Sequence, residues 1–414
     1  MFETATPRPT NPSRDRLRAA LSQKGRGEPI AIDTSVTARA DLSGLGGHWF
    51  ETSLGPGYVI ESVYEGGHAH GEIPLHRALS ADPALLAGQV RDPRLGEVSA
   101  RDFLYVDTET TGLGGAGSMV FLAGAARFDG AHLRLRQYLL PSPDFEGGLL
   151  GGLGEDLAAA GALVSYNGKS FDLPMLETRY ILSRQRPTFR SLPHLDLLHP
   201  NRRLFRGALD SHRLPMVERE ILRFEREDDC PSSEVPMRYF QFQRSGDPTY
   251  ILPVLRHNAW DILSLVALAA HIAGVCESPA YPLQAARAAE YAGQPALAAS
   301  RFEAALAAGL SRAPRLEAIE RAARARARNG EWEQAAAHWQ SLIDEPRSRR
   351  ILPYVELAKL AEHRLRDLPR AYVLADEALA LLRKGLLMPG AGELSPAAVE
   401  RRRDRLLARL QRAR

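Results

Sequence analysis

Residues 103–112 read FLYVDTETTG, four apolar residues running into two acids separated by one threonine. A short apolar run rich in aromatic and β-branched residues predicts a buried strand from Phe103 to Asp107. Side chains two apart on a strand share a face, so Asp107 and Glu109 project together while Thr108 turns away. Two carboxylates aimed at one small volume repel, and the conflict is relieved by a shared proton or a bound cation. Hard oxygen donors suit magnesium or manganese. The run therefore predicts a metal site.

Working outward, Val120–Phe128 and Leu133–Leu140 read as strands joined at Asp129-Gly130, Ala162–Tyr166 as a further short strand, and Leu173–Leu182 as a helix. Ile251–Ile272 has the apolar rhythm of a long helix. Strands alternating with helices argue for a mixed α/β layer fold over residues 100–277. Asn167-Gly-Lys-Ser-Phe-Asp172 puts a third acid at a helix start, where Lys169 and Asn167 are placed to meet a phosphate. His257 and Asp261, four apart on the long helix, lie on one face and add a fourth acid and an imidazole.

Taken in order, DxE on a first strand, D after NGxxF and HxxxD on a late helix resemble the DEDD superfamily of 3′–5′ exonucleases. More narrowly, DTETTGLGGAG, YNGKSFDLPML, LDSHRLPMVERE and HNAWDILSL look like the YprB-type ribonuclease H-like proteins, in which tetratricopeptide-like helices accompany such a domain. The resemblance implies a ribonuclease H-like mixed sheet flanked by helices. It also implies two Mg2+ or Mn2+ ions held by Asp107, Glu109, Asp172 and Asp261, with Thr110, Gly112, Asn167 and Lys169 toward the substrate. The implied reaction is phosphodiester hydrolysis at the 3′ ends of single-stranded DNA or RNA. His257 is the implied general base, with one departure. The superfamily places a histidine five residues before the last acid or a tyrosine four before it, and here a histidine stands at the tyrosine spacing.

The whole chain of 414 residues, 44% hydrophobic and 25% charged, has ordinary globular composition and room for two or three domains. Residues 1–45 predict a disordered or loosely docked leader. Residues 46–99 predict a hairpin, His48–Tyr64 around Leu54-Gly55-Pro56-Gly57, and a linker. Beyond Pro279 the composition turns to Ala, Leu, Arg and Glu. Gly293, Gly330 and Asp367, 37 residues apart, each precede a similar amphipathic run, with Ala298, Ala335 and Tyr372 in equivalent slots, as are Ala305, Leu342 and Leu379. This predicts an all-α helical-repeat domain over 280–414, available to a protein partner. That stretch carries 24 Lys+Arg against 16 Asp+Glu, a balance of +8 within a chain of net +3. Such asymmetry reads either as a site for a polyanion or as solvated helix faces, Arg401–Arg403 and Arg405 included. No secretory segment or membrane span is expected, and two cysteines without CxxC spacing, Cys230 and Cys276, predict neither disulfide nor thiolate zinc; a cytoplasmic location follows.

Other signals weigh less. Gly112 to Gly117 match GxGxxG, but a strand rather than a helix follows, which speaks against dinucleotide binding. Asp196 reads as a supporting acid at a strand end, His199 as no ligand, and Arg202, Arg203 and Arg206 as either phosphate grips or loop. His68 and His70 read as exposed, and Trp332, Trp339 and Tyr372 as helical core. The competing functions are a non-catalytic nucleic-acid-binding or scaffold protein and a structure-selective endonuclease on the same fold.

Overall fold

The computed structural model describes residues 42–112 and 117–412; most of the expected leader and the glycine-rich residues 113–116 lie outside them. Strands β1 (His48–Thr52) and β2 (Gly55–Tyr64) form the expected hairpin, then come the short β3 (Ala69–His70) and β4 (Ile73–Pro74) and helix α1 (Pro83–Val90). β5 (Phe103–Thr110), β6 (Val120–Asp129) and β7 (His132–Leu139) follow as a meander. Helix α2 (Glu146–Ala158), β8 (Ala162–Ser165), α3 (Asp172–Leu182), β9 (His194–Asp196) and α4 (Leu198–Leu204) complete the alternating part. After α5 (Leu214–Val217), a π-helical turn Glu218–Leu222 and α6 (Val235–Ser245), the long α7 (Leu252–Glu277) closes the domain.

Seven strands make one mixed sheet in the order β1-β2-β7-β6-β5-β8-β9, antiparallel from β1 to β5 and parallel from β5 through β8 to β9. The hairpin is thus an extension of the main sheet, through β2 on β7. Its turn is Ser53-Leu54, since Thr52 pairs with Gly55, so Pro56 and Gly57 belong to the strand and not to the turn. Residues 42–45 dock on it: Tyr58 donates its hydroxyl to the Leu42 carbonyl at 3.0 Å, and Leu45 is buried.

Alternation along β5 divides its side chains between two cores. Phe103 and Tyr105 join α7 residues Ile262 to Cys276 on one face; Leu104 and Val106 join Leu149, Leu153, Leu176 and Tyr239 on the other. Helix α7 reaches both, with Val254 and Leu255 in the second core and Ile262 onward in the first. By length and apolarity Pro248–Glu277 could cross a membrane, but 72% of its apolar window is buried inside the protein, as expected of a core helix.

The C-terminal region is helical: α8 (Pro282–Tyr291), α9 (Pro295–Ala307), α10 (Arg312–Arg328), α11 (Trp332–Ile343), α12 (Leu352–His363), α13 (Leu368–Arg383) and α14 (Pro396–Arg412), each packed on the next. The turns into α9 and α11 need a left-handed residue, supplied by Gly293 (φ +76°) and Gly330 (φ +82°). In the third hairpin that residue is Arg366 (φ +58°), while Asp367 caps α13 through the Arg370 N–H. The third repeat is therefore one residue shorter than the spacing of 37 suggests. Ala371 and Ala378, buried at 0% and 1% exposure, occupy the slots expected for Tyr372 and Leu379. Many of the region's arginines are neutralised internally: Arg402, Arg405 and Arg409 converge on the buried Glu362.

Gly330→Ala should lower stability by about 1 kcal/mol through left-handed strain, and Gly330→Asn by less, readable as urea midpoints.

Candidate metal centre

Because Phe103 and Tyr105 point toward α7, the next two residues of that face, Asp107 and Glu109, do so where β5 runs past its core. Helix α7 meets them at the seam between the two cores with His257 and Asp261, one turn apart. His257 Nε2 lies 3.5 Å from Asp261 Oδ2 and 4.0 Å from Glu109 Oε1. Ligand atoms of Glu109, His257 and Asp261 all fall within 4.8 Å of one another. Asp107 and Asp172 border this trio closely enough for charge repulsion among the acids.

Asp107, Asp172, Asp261 and His257 are each aimed by a neighbour outside the four acids and the histidine. Asn258 donates to Asp107 Oδ2 at 2.9 Å and accepts from Gln137 at 3.0 Å. It fits because Gly124, opposite Asp107 in the sheet, has no Cβ; one would stand 2.4 Å from the Asn258 amide oxygen. Thr108, turned to the other face as expected, meets Asp172 there, donating from its hydroxyl at 2.6 Å and its amide at 3.0 Å to Oδ1. His257 Nδ1 lies 2.7 Å from Asp229 Oδ1. Arg226 contacts Asp261 Oδ1 and approaches Asp229 at 3.2 Å and His257 Nδ1 at 3.2 Å. A guanidinium only donates, so Nδ1 cannot both accept from Arg226 and donate to Asp229. The shorter contact assigns the Nδ1 proton to Asp229, which leaves the Nε2 lone pair toward Glu109 and Asp261.

Burial is the first cause of the electrostatics. Desolvation, then repulsion from Asp261 and Asp172, pushes the Asp107 and Glu109 carboxyls well above their ordinary range. Burial raises Asp172 to about 6, against the opposing pull of the Thr108 hydrogen bonds. Acids so short of counter-charge, with an imidazole among them, fit a hard divalent cation. Glu109 and Asp261 could hold one directly, with the His257 imidazole beside it and Asp107 and Asp172 at its border.

The residues expected to face substrate lie at the exit from β5 and on the loop that enters α3. Thr110 donates to the Gly112 carbonyl at 2.8 Å, and a Cβ on Gly112 would stand 2.8 Å from Ser118 Oγ, so the pair shapes a tight exit from β5. Asn167 (φ +65°) and Lys169 give their amides to Asp196 at 2.7 and 3.1 Å, and the Lys169 side chain is exposed beside the Asp172 loop. Asp196, fully buried, also takes the Leu198 amide and so anchors the loop. His199, Arg202 and Arg206 are exposed. Arg203 is no phosphate grip: its guanidinium stacks 3.4 Å over the Tyr291 ring and donates to the Gln89 carbonyl. His70 is not exposed either, being 1% accessible and 2.7 Å from Ser264 Oγ, whereas His68 is exposed.

Residues 104–273 match the family described as the RNase_H superfamily. That segment, about two fifths of the chain, is similar to RNase H superfamily domains and coincides with the mixed sheet from β5 onward and the long α7. Over 173 residues, 41% of this chain, the sequence is 41% identical to the uncharacterized protein YprB of Bacillus subtilis (strain 168). The chain spans 42% of the length of that curated relative.

Asp172 titrates at about 6 when folded against 3.8 as its ordinary value, so between these pH values the unfolded chain releases the proton first. Its contribution to stability is therefore full below pH 4 and lost as pH rises through 6. Urea unfolding without divalent ions should show the wild type losing stability relative to Asp172→Asn across pH 4–7, on the order of 2–3 kcal/mol. Added Mn2+ should reduce that loss at pH 7.

Proposed function

We propose that the protein is a divalent-metal-dependent nuclease that trims single-stranded nucleic acid from its 3′ end. The observation that carries this reading is the convergence of Glu109, His257 and Asp261 with Asp107 and Asp172 at the end of one strand of a domain similar to those of the RNase H superfamily. Two ions, magnesium or manganese, would be held by Asp107, Glu109, Asp172 and Asp261. Bound there, they supply Lewis-acid activation of water and offset charge on the phosphorane-like transition state.

The chain's own groups supply the rest. Asp229 holds the His257 tautomer, so Nε2 is free to take a proton from the attacking water. Asn258 and Thr108 keep Asp107 and Asp172 from swinging out as charge builds. Lys169 is exposed on the loop adjoining Asp172, and its ammonium can meet a backbone phosphate. The C-terminal helices, with their surface arginines largely paired, serve as the docking module for a protein partner in this reading.

The test is incubation of 5′-labelled single-stranded DNA and RNA with purified protein in Mn2+, Mg2+ or chelator. A ladder shortening from the 3′ end is expected, abolished by chelator and reduced at least about a hundredfold by Asp107→Ala, which corresponds to about 2.7 kcal/mol of barrier. Cleavage of circular single strands would replace the end-directed reading with an endonuclease. Intact oligonucleotides bound tightly without metal would replace both with a binding scaffold.

A further inference from the structure

Besides His257, Arg226 is the one basic side chain among the described residues seen in contact with the acid cluster, and it is buried: 6% of its side chain is exposed, and 1% of that of its partner Glu218. The Glu218 carboxylate receives Nε at 2.7 Å and Nη2 at 2.6 Å. Nη2 also contacts Asp261 Oδ1, and Nη1 reaches Asp229 Oδ2 at 3.2 Å. Glu218 is itself held by Ser264, whose single hydroxyl proton goes to Glu218 Oε1. Ser264 must then accept at its oxygen, so His70 donates from Nε2 at 2.7 Å. Burial holds that imidazole neutral, its pKa lowered to about 3. A polar line thus runs from β3 through α7 and the π-helical turn to the metal centre and ends in one guanidinium.

Three features of that guanidinium bear on cation binding. It keeps its charge at any working pH. It occupies Oδ1 of Asp261 and leaves Oδ2, the oxygen 3.5 Å from His257 Nε2, to face the centre. It also touches Asp229, the acid that fixes His257. Through Asp261 and Asp229, one side chain therefore sets two members of the Glu109/His257/Asp261 trio.

We propose that Arg226 is a positioning residue that doubles as a resident counter-charge. It restricts Asp261 to one ligand oxygen and holds down the affinity of the centre for divalent cations, giving up binding strength for a fixed geometry. The inference rests on the reading that these residues bind a metal, and it assigns two opposite consequences to one residue. Loss of the charge strengthens cation binding, because repulsion between guanidinium and cation disappears and Oδ1 becomes available. Loss of the fork slows cleavage, because Asp261 and His257 are no longer held together.

The experiment is calorimetric titration of Mn2+ into the full chain without nucleic acid, beside cleavage rates at saturating Mn2+. Arg226→Met is expected to bind Mn2+ about tenfold more tightly or better, from the removal of one charge a few ångströms away, and to cleave about 10–100-fold more slowly. Arg226→Lys keeps the charge without the fork, so it should bind Mn2+ near the wild-type affinity and share the slow cleavage. Arg226→Met leaves Glu218 buried without its partner, a change that can unfold a protein. The double variant Glu218→Gln/Arg226→Met removes both charges, so its Mn2+ affinity should rise above the wild type through the freed Asp261 Oδ1 but by less than in Arg226→Met, with the same slow cleavage. Weaker or unchanged Mn2+ binding in folded Arg226→Met, or in the double variant where the single one does not fold, overturns the proposal, as does failure of the double variant to fold, which assigns Arg226 to structure alone. Wild-type protein that binds Mn2+ in the expected order but cleaves nothing would sink the nuclease reading and leave this one standing. Wild-type protein that binds no Mn2+ would sink both.

Discussion

Repulsion between carboxylates that the fold forces into one desolvated volume is the constraint on which the rest of the arrangement turns. Asp107 and Glu109 cannot diverge, because the β5–β6 ladder runs through both, Asp107 opposite Gly124 and Glu109 opposite Leu122. Asp261 cannot retreat, because α7 is locked by apolar residues into both cores. The protein answers with partial remedies: amide donors at Asp107, hydroxyl and amide donors at Asp172, a guanidinium at Asp261. None of them removes the raised proton affinity of Asp107, Glu109 and Asp172. What remains is a demand for positive charge that a divalent ion meets better than protons do.

Delivery of the groups follows from ordinary rules of chain geometry. The two-residue period of a strand sends Asp107 and Glu109 to the α7 face and Thr108 to the α3 face, so the strand addresses acids on both sides. The helical spacing of four stacks His257 on Asp261. The glycine at position 124 then matters more than its place in a strand suggests, because it vacates the volume that Asn258 fills.

These local periods explain why the acids could be read from the chain: each rests on a spacing within a single element. The partners that aim them could not be read so, since Asp229 and Arg226 stand in the charged run REDD, which by composition resembles a solvated loop. Only the packing of that loop over α7 brings them to His257 and Asp261 and buries the Arg226 side chain. His70 was misjudged for the same reason, its glycine-flanked setting suggesting exposure although Ser264 and Phe224 enclose it. In the helical region the period was nearly right, but one register step was lost where an arginine takes the left-handed position that glycine holds in the two preceding turns. The mixed sheet and the helical tail were accessible because both depend on long, repeated patterns of apolar residues.

Tyr291 is clasped between two guanidinium groups, Arg91 at 4.1 Å and Arg203 at 3.4 Å, while Arg287 on the same helix donates to the Leu204 carbonyl at 2.7 Å. Such a joint behaves as a weld rather than a hinge. The first helix of the C-terminal stack is thereby fastened to the body that carries the acids, so its distance from them is set by stacked and hydrogen-bonded contacts rather than by a free linker.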